Sequence, residues 1–264
     1  MLILRRKESH KGQNGRVLVV GGSWKYYGSP ALVAKAALRV GADLAYLLVP
    51  DKIAPTVASY SPDFIVWGYA GHTLNGNAFE LFQELAKKTD AMVLGNGLTK
   101  EPEALDVAAR MAGMWRKPLL IDADCLGRIT RHGALYTPHV VEFKRMHGRA
   151  ADENLARRCA QVAETARSAG GTVLLKGIVD IISDGKKTAL SRTGNAGMTC
   201  GGSGDTLAGI AGALLASGHG NFEAGCIAAY LNGLAGDLAR KGLGNSLIAS
   251  DIVENLPSAL RSLG

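Results

Sequence analysis

A loop of small residues followed by one carboxylate is the part of this sequence best suited to chemistry. The run reads Asn-Ala-Gly-Met-Thr-Cys-Gly-Gly-Ser-Gly-Asp from Asn195 to Asp205, and an apolar helical pattern follows at once. Glycines let backbone N–H groups converge, and a helix start adds partial positive charge. The loop therefore predicts an anion hole for a phosphate at Gly202, Ser203 and Gly204. Asp205 is placed to take a proton from a neighbouring hydroxyl, unless the loop is a plain turn with Asp205 as helix N-cap.

Five further stretches place glycine or polar residues at the ends of apolar runs. They are Gly21-Gly22-Ser23, Gly95-Asn96-Gly97-Leu98, Asp122-Ala123-Asp124, Thr137-Pro138-His139 and Leu175-Lys176-Gly177. Because ligands of open parallel sheets gather beyond the carboxyl ends of the strands, we expect these stretches to share one site. Asp122 and Asp124, on alternate sides of an extended segment, predict a pair that holds Mg²⁺ or orients a hydroxyl. A helix cap beside a solvated acid is the alternative.

Other residues near these ends have types suited to ligands, each with a purely structural alternative. His139 and Glu142 lie one helical turn apart if a helix opens at Glu142, so both could face one cavity. Lys176 could meet a phosphate as a point charge, or be a solvated lysine at a strand end. Backbone at Gly28 and Ser29 could approach a ligand, or form a simple turn. The glycine spacing there departs from G-x-G-x-x-G and argues against a hydride-transferring dehydrogenase.

Short β-branched runs alternate with longer amphipathic segments along the 264 residues. The predicted strands are Val17–Val20, Leu44–Val49, Phe64–Trp67, Met92–Leu94, Leu119–Ile121, Val173–Leu175 and Val179–Ile182. The predicted helices are Pro30–Val40, Asn77–Lys88, Glu101–Met114, Glu153–Ala169, Thr206–Ser217, Phe222–Lys241 and a final pair, Asp251–Asn255 and Pro257–Leu263. No linker or repeat divides the chain. We predict one α/β domain over residues 1–264, with a central, mostly parallel sheet covered by helices on both faces.

Bulk properties narrow the function class. The net charge of +7 comes from scattered basic residues, which favours phosphorylated small molecules over nucleic acid. The four cysteines form no C-x-x-C pair, so we expect reduced thiols and a cytoplasmic protein. Residues 1–7 place charge after the apolar residues, opposite to a secretory signal, and the longest apolar run, Leu207 to Ala216, is too short to span a bilayer. We expect a homo-oligomer, possible as a tetramer, with apolar helices of the final third at its interface.

In order and spacing, these motifs resemble the ADP/ATP-dependent NAD(P)H-hydrate dehydratases, a branch of the ribokinase-like superfamily. The resemblance runs from His10 to Pro257, nearly the whole chain. Its segments are Lys11-Gly12, Gly15 to Ser23, Asp122-Ala123-Asp124, Thr137-Pro138-His139, Glu142-Phe143, Leu175-Lys176-Gly177, Gly201 to Asp205, Leu207-Ala208-Gly209, Gly236-Asp237 and Ser250-Asp251. Family members repair nicotinamide cofactors whose reduced ring has been hydrated. The resemblance implies that a phosphoryl group of ADP or ATP passes to the ring hydroxyl and then leaves as phosphate, restoring the double bond.

Roles for individual residues follow from the resemblance. Asp205 would be the base that activates the ring hydroxyl, with the anion hole offering N–H groups to the transferring phosphoryl. The expected nucleotide-binding residues are Lys176, Gly177, Ile178, Val179, Asp180 and Gly204. The expected residues on the hydrated-cofactor side are Ser29, Gly97, His139 and Asp205. Glu142 is the candidate for arranging Mg²⁺ through water.

The sequence departs from the family pattern on the substrate side. Gly95-Asn96-Gly97-Leu98-Thr99 replaces the usual Gly-Pro-Gly-Leu-Gly, Val140-Val141 replaces Pro-Gly after the histidine, and Gly127 and Ser203 stand where Asn and Thr are usual. The epimerase domain that precedes this one in many relatives is not expected in the chain. A small-molecule kinase of the same superfamily, acting on a vitamin precursor, is the main alternative. A nucleotide sensor without turnover is another, although a carboxylate beside a phosphate disfavours it.

Overall fold

Alternation of side chains along each strand sets the architecture. In β1 (Arg16–Val20), Val17 and Val19 pack into one apolar cluster while Leu18 and Val20 pack into a second. Successive side chains of a strand point to opposite faces, so a strand that is apolar throughout requires cover on both sides. The computed structural model, which describes residues 8–263, has such cover on both faces. The predicted two-sided α/β sheet is therefore confirmed.

The strands of the described residues form a single sheet in the order β3-β2-β1-β4-β5-β6-β7-β8-β9. Their bounds are β1 (Arg16–Val20), β2 (Leu44–Pro50), β3 (Phe64–Tyr69), β4 (Ala91–Leu94), β5 (Leu119–Ile121), β6 (Leu135–Tyr136), β7 (Thr172–Leu175), β8 (Asp180–Ser183) and β9 (Thr188–Ser191). Neighbours from β3 to β7 are parallel, and β8 and β9 add antiparallel to that edge. The sheet is thus mostly parallel, as predicted.

The helices that cover the two faces of the sheet come from different parts of the chain. Their bounds are α1 (Gly28–Arg39), α2 (Ala54–Ser59), α3 (Phe79–Lys88), α4 (Pro102–Met114), α5 (Val140–His147), α6 (Leu155–Ala169), α7 (Ser203–Ala216), α8 (Asn221–Leu243) and α9 (Ala249–Arg261). The cluster around Val17 and Val19 holds α1, α2, α7, α8 and α9, whereas the cluster around Leu18 and Val20 holds α3 to α6. The chain after the sheet therefore builds most of one face.

Four elements escaped the sequence prediction, and one was predicted wrongly. Strand β6 has only two residues, β9 is an exposed edge strand, and α2 and α5 are short. Such elements have too few residues for a period to be visible. The final helix is continuous through Pro257, where we predicted a break. Buried Val253, Leu256 and Ala259 hold both halves of α9 against the core, and this packing overrides the missing N–H.

Helices α1 and α7 meet through a glycine that allows their backbones to touch. A Cβ at Gly209 would lie 2.2 Å from the carbonyl oxygen of Val33 and 2.8 Å from the Cβ of Ala36. Neither distance is sterically possible, so any larger residue must push the helices apart. Both helices begin at the carboxyl edge of the sheet, where the candidate site residues lie. The spacing between α1 and α7 therefore fixes two walls of that site.

We expect Gly209→Ala to lower the free energy of unfolding by about 1–3 kcal/mol, because the added methyl group overpacks the contact between α1 and α7. Gly113→Ala is the matched control, since Gly113 is an exposed residue of α4 with open space around its Cα. The control should be neutral or stabilising by up to about 1 kcal/mol, from helix propensity alone. Urea unfolding of both variants measures the difference. Equal effects would show that the close approach carries no energetic weight.

Other global expectations have mixed outcomes. All four cysteines are unpaired, as predicted. No helix within residues 8–263 has the length and hydropathy that a bilayer crossing requires. The interpretation of residues 1–7 lies outside the described residues. Helix α7, which we expected to contribute to an oligomer interface, has residues 206–215 buried inside the chain itself, so its apolar surface belongs to the core.

Candidate active site

Five strand ends that the sequence singled out lie side by side. Strands β1, β4, β5, β6 and β7 are consecutive in the sheet and parallel, so their carboxyl ends reach the same edge. Backbone hydrogen bonds join the segments just beyond them: the N–H of Gly22 donates to the Asn96 carbonyl at 2.8 Å, and the N–H of Lys176 donates to the Pro138 carbonyl at 2.8 Å. The expectation that these stretches share one site agrees with this geometry.

Glycines at two of these ends permit the close approach. A Cβ at Gly21 would lie 2.2 Å from the Asn96 carbonyl oxygen, and a Cβ at Gly95 would lie 2.1 Å from the Asp122 carbonyl oxygen. Only glycine fits where one backbone crowds another in this way. The glycines therefore bring the Asn96 and Asp122 side chains next to each other without serving as ligands themselves.

A buried ion pair lies at the centre of this edge. The Nζ atom of Lys176 is 3.1 Å from Oδ1 of Asp122 and 3.9 Å from Oε2 of Glu142, and the three side chains are 19%, 3% and 9% exposed. Burial alone would lower the pKa of Lys176, but the carboxylates of Asp122 and Glu142 outweigh it and raise that pKa. Lys176 is therefore a permanent cation that holds two acids, not the solvated lysine of the alternative interpretation.

The two acids of Asp122-Ala123-Asp124 do not act as a pair. Ala123 has φ 53°, a left-handed conformation, and begins a single 3-10 turn. The turn separates the carboxylates: Asp122 faces Lys176, while Asp124 lies 3.9 Å from the exposed Lys100. The prediction of two acids on alternate sides of an extended segment is wrong in this respect, because the strand ends at Ile121 and the chain bends at once.

Asn96 connects this ion pair to the anion loop. Its Nδ2 donates to Oδ2 of Asp122 at 2.9 Å and to Oδ1 of Asp205 at 2.7 Å. The Asn96 side chain is buried, and its own Oδ1 has no hydrogen-bond partner among residues 8–263. An orphaned buried acceptor costs about 1–3 kcal/mol. The sequence placed Asn96 in a stretch expected at the site and marked it as a departure from the family pattern, but it did not reveal these contacts.

Asp205 lies in the first turn of α7, directly after the glycine loop. Gly202, the residue before the helix, has φ 94°, and its position lies next to the second carboxylate oxygen of Asp205: a Cβ there would be 3.9 Å from Oδ2. Burial raises the pKa of Asp205 to about 6, opposed by hydrogen bonds from Asn96 and Ser29, with Asp122 adding to the rise. One carboxylate oxygen of Asp205 is therefore hydrogen-bonded to Asn96, and the other faces the glycine loop. A general base at this position needs such an oxygen directed at the loop.

The predicted anion hole, Gly202, Ser203 and Gly204, lies at the start of α7, where the N–H of Ser203 donates to the Cys200 carbonyl at 3.5 Å. The first hydrogen bond of α7 runs from the N–H of Thr206 to the Gly202 carbonyl, so the N–H groups of Gly204 and Asp205 precede the helical ladder. The space beside Gly204 faces the Lys176 ammonium, which lies 3.2 Å from the position of a Gly204 Cβ. Donors and a cation therefore converge on the same volume, the arrangement expected of an anion site.

A cavity of about 600 Å³ adjoins this loop. Six predicted residues line it: Lys176, Gly177, Ile178, Asp180, Ser203 and Gly204. Val179 and Gly202, also predicted, are not among its lining residues. Asp180 accepts a hydrogen bond from the Gly177 N–H at 2.9 Å, and burial raises its pKa to about 6. The turn between β7 and β8 is thus one wall of the cavity.

The opposite wall of the cavity includes residues for which the sequence analysis gave no role. They are Thr193, Gly194, Asn195, Ala196, Met198, Thr199, Leu207, Asn232 and Gly233. Asp237 on α8 fixes this wall by accepting hydrogen bonds from the Gly194 N–H and the Asn195 side chain. Asn232 accepts from the hydroxyl of Thr206 at 2.6 Å, which ties α8 to the start of α7. No local pattern could have revealed these contacts, because they join residues 26 to 43 positions apart.

Residues predicted for the other ligand converge on the far side of Asp205. A Cβ at Gly97 would lie 2.9 Å from the Cβ of Ser29, and the Ser29 hydroxyl hydrogen-bonds the Asp205 carboxylate. Gly97 has φ 74°, so glycine suits its backbone as well as the space. Ser29, Gly97 and Asp205 are therefore brought together as predicted.

The helix opens at Val140 and not at Glu142, and His139 and Glu142 contact each other in a capping box at the start of α5. Neither lines the cavity beside the anion loop, where their spacing predicted a shared position. The Nδ1 atom of His139 accepts from the N–H of Val141 at 3.1 Å, which places its proton on Nε2, 3.3 Å from Oε1 of Glu142. Glu142 Oε2 accepts from the His139 N–H at 2.7 Å. Burial and Lys176 lower the pKa of His139, and burial raises that of Glu142 to about 6. A neutral histidine, half exposed, faces the site.

A sheet edge with a glycine anion loop at a helix start and a carboxylate one turn in is the arrangement of ribokinase-like enzymes. The solved ADP/ATP-dependent NAD(P)H-hydrate dehydratase from Bacillus subtilis, co-crystallised with ATP/Mg²⁺, superposes with a TM-score of 0.86 at 25% identity, covering 100% of this chain and 95% of that one. The family model described as NAD(P)H-hydrate dehydratase matches residues 17–258. The chain therefore belongs to the NAD(P)H-hydrate dehydratase family.

Curated relatives agree with this assignment. An ADP-dependent (S)-NAD(P)H-hydrate dehydratase of Cenarchaeum symbiosum is 40% identical over 97% of this chain and 92% of its own length. A bifunctional NAD(P)H-hydrate repair enzyme of Pyrobaculum aerophilum is also 40% identical, over 97% of this chain and 52% of its own length. The chain thus spans about half the length of the bifunctional relative and nearly all of the other.

The raised pKa of Asp205 predicts a pH-dependent stability. A carboxyl group whose folded-state pKa exceeds its unfolded value loses stability as pH rises through that interval, here from about 3.8 to about 6. Asp205→Asn should therefore be more stable than the wild type at pH 7.5 by on the order of 1–3 kcal/mol and nearly equal to it at pH 4. Urea unfolding at both pH values measures this. Asp106→Asn, on the exposed face of α4, should show no such pH-dependent difference in stability. The same difference in that variant would point to a general charge effect.

Proposed function

We propose that this chain uses ADP or ATP to dehydrate hydrated NADH and NADPH back to the reduced cofactors. The main support for this proposal is the position of the Asp205 carboxylate. Its Oδ1 is hydrogen-bonded to Asn96, whereas its Oδ2 faces the glycine loop beside the cavity. A carboxylate there can take a proton from a hydroxyl that meets a phosphate at the loop. Phosphoryl transfer to a hydroxyl needs this juxtaposition.

In the proposed mechanism, Asp205 accepts the proton of the ring hydroxyl while the hydroxyl oxygen forms a bond to the terminal phosphorus of the nucleotide. The bond from that phosphorus to the bridging oxygen breaks, and the shortened nucleotide leaves with the electron pair. The carbon–oxygen bond of the phosphorylated hydrate then breaks as inorganic phosphate departs. Loss of a proton from the neighbouring ring carbon restores the double bond. The net change is hydrate plus ADP to reduced cofactor, AMP and phosphate, or the matching change with ATP.

The cavity beside the loop is the proposed nucleotide site. The N–H groups of Gly204 and Asp205 would donate to the transferring phosphoryl, and Lys176 would add positive charge next to it. Lys176 also stays paired with Asp122, so it is held in place before any ligand arrives. The residues from Gly177 to Asp180, with Val179 set back from the lining, would border the nucleotide.

The hydrated cofactor is proposed to approach from the side of Ser29, Gly97 and His139. Ser29 contacts the same carboxylate that would activate the ring hydroxyl. His139 is half exposed and neutral, so its Nε2 proton can be shared between Glu142 and a ligand oxygen. This side also carries Val140 and Val141, both exposed, where a more compact segment is usual in the family.

Magnesium enters the proposal only with the nucleotide. Within residues 8–263 no group of three or more His, Cys, Asp or Glu side chains could hold a metal ion. Both oxygens of Glu142 already contact His139. Mg²⁺ commonly keeps most of its waters and binds through substrate phosphates and one or two carboxylates, which is the arrangement that these residues allow. When bound in that way it would neutralise phosphate charge, with Glu142 reaching it through water.

Names of the relatives support the choice of reaction and donor. The Cenarchaeum relative is called ADP-dependent, and the Bacillus structure ADP/ATP-dependent. Incubating the purified chain with hydrated NADH or NADPH, Mg²⁺ and either nucleotide tests the proposal directly. Recovery of the absorbance of the reduced nicotinamide supports it. A phosphorylated alcohol that persists, without that recovery, would favour a small-molecule kinase instead.

Asp205→Asn should reduce turnover by on the order of a hundredfold or more, because the amide cannot accept the hydroxyl proton. Nucleotide affinity should stay within about twofold, since the N–H donors and Lys176 are unchanged. Steady-state kinetics and calorimetric titration with ADP measure the two effects. Near-normal turnover would remove Asp205 from the role of base.

Gly204→Ala should weaken ADP binding by about tenfold or more, because its methyl group would occupy the space beside the Lys176 ammonium. Gly201→Ala is the matched control in the same loop: a Cβ there meets nothing within 4 Å, and Gly201 is exposed. Calorimetric titration of both variants with ADP compares them. If the control loses as much affinity as Gly204→Ala, the effect comes from loop stiffening and the phosphate lies elsewhere.

A further inference from the structure

We propose that Asn96 is a positioning residue that selects which oxygen of Asp205 faces the reacting hydroxyl. The inference rests on the proposed function, in which Asp205 is the base. It concerns Asn96, which stands where the family pattern described above has proline, and proline has no side-chain donor.

The geometry around Asn96 is that of a clamp between two carboxylates. Nδ2 carries two hydrogens, and the structure directs one to Asp205 Oδ1 at 2.7 Å and the other to Asp122 Oδ2 at 2.9 Å. Asp122 is itself anchored by Lys176 at 3.1 Å through its other oxygen. A continuous chain of contacts therefore runs from the Lys176 ammonium through Asp122 and Asn96 to Asp205.

Chemistry fixes the orientation of the amide. Turned over, Asn96 would place its carbonyl oxygen against two carboxylates, with no hydrogen to share. The observed orientation leaves Oδ1 of Asn96 buried and without a partner in the part of the chain that the structure describes. The main chain at Asn96 is also held, because its carbonyl accepts from the Gly22 N–H at 2.8 Å. The residue thus keeps an unsatisfied acceptor while both of its donors serve the acids.

The clamp leaves Asp205 with two unlike oxygens. Oδ1 is engaged by Asn96, whereas Oδ2 lies on the side of Gly202 and the anion loop. Three neighbouring groups from other elements also act on this carboxylate: the Ser29 hydroxyl of α1, the Asp122 carboxylate after β5 and the Lys176 ammonium after β7. Asn96 opposes the effect of burial on the pKa of Asp205 more strongly than any of these three groups. Its loss would leave Asp205 beside the acid Asp122 without a shared donor.

Asn96→Ala tests the proposal, with Asn221→Ala as the matched control. The Asn221 amide donates to the Gly133 carbonyl on an exposed surface of the chain, and Asn221 does not line the cavity. Asn96→Leu keeps the branched shape of the side chain without its donors and serves if the alanine variant does not fold. Two readouts are needed: the pH dependence of kcat/KM with ADP and hydrated NADH, and a substrate-free titration of the Asp205 carboxyl carbon by NMR, assigned from its absence in Asp205→Asn.

We expect Asn96→Ala to lower kcat by about tenfold or more while the KM for ADP changes by less than about twofold. The pKa of Asp205, in the NMR titration and in the acid limb of kcat/KM, should rise by about one unit, because the amide stabilises the charged form. The control should change neither quantity. An unchanged pKa of Asp205 in both the alanine and leucine variants would overturn the proposal, even if kcat fell.

The two readouts separate this inference from the proposed function. If the wild-type chain does not dehydrate hydrated NADH, the proposed reaction fails, and the NMR titration still decides whether Asn96 controls Asp205. If the wild type turns over and Asn96→Ala leaves both kcat and the pKa of Asp205 unchanged, the reaction stands and the clamp is refuted.

Discussion

One buried cation organises the carboxyl edge of this sheet. Lys176 carries its charge where little water reaches, between the buried carboxylates of Asp122 and Glu142. Breaking such a buried pair leaves an uncompensated charge, which is costly, so each partner fixes the others. The strand ends bearing these side chains are consecutive in the sheet, and the ion pair gives them a common centre. Asn96 then extends the network from Asp122 to Asp205 on α7.

Backbone contacts at the same edge explain why this network is possible. Neighbouring strands in a parallel sheet lie about 4.8 Å apart, which leaves no room for a Cβ directed at the adjacent backbone. Gly21 and Gly95 let neighbouring segments crowd together beyond the strands, which brings Asn96 and Asp122 within hydrogen-bonding distance. Several of the glycines that marked possible ligand loops in the sequence thus have a structural task. Because these glycines have no side chain, they permit the backbone contacts that shape the site.

Much of the fold was accessible from the sequence, because long elements carry their own period. The apolar strands of the centre and the amphipathic helices α3, α4 and α6 were placed within a few residues of their bounds. Short elements such as β6 and α5 were missed, and the break at Pro257 was wrong because core packing outweighed the local rule. Local patterns contain no term for burial against distant segments.

The residues of the candidate site show the same difference between what a local sequence pattern reveals and what depends on distant contacts. The glycine loop, Asp205, Ser29, Gly97 and Lys176 could be named because each follows a strand or opens a helix, positions where ligands collect. Asn232 was not named, and the contacts of Asn96 and Asp237 could not be foreseen, because they depend on partners far away in the chain. Asp122 and Asp124 show the intermediate case, where the residue types were suggestive and the turn at Ala123 decided the outcome.

Helix α7 serves two purposes, and this has a consequence for how ligands come and go. Its first turn carries Asp205 and the donors beside Gly204, while residues 206–215 are buried between the sheet and the helices α1 and α8. An element so deeply embedded cannot swing outward without exposing the interior of the protein. The phosphate end of the site therefore stays fixed as ligands bind and leave, in contrast to the segment just before α1, whose Trp24, Tyr26 and Tyr27 side chains are exposed.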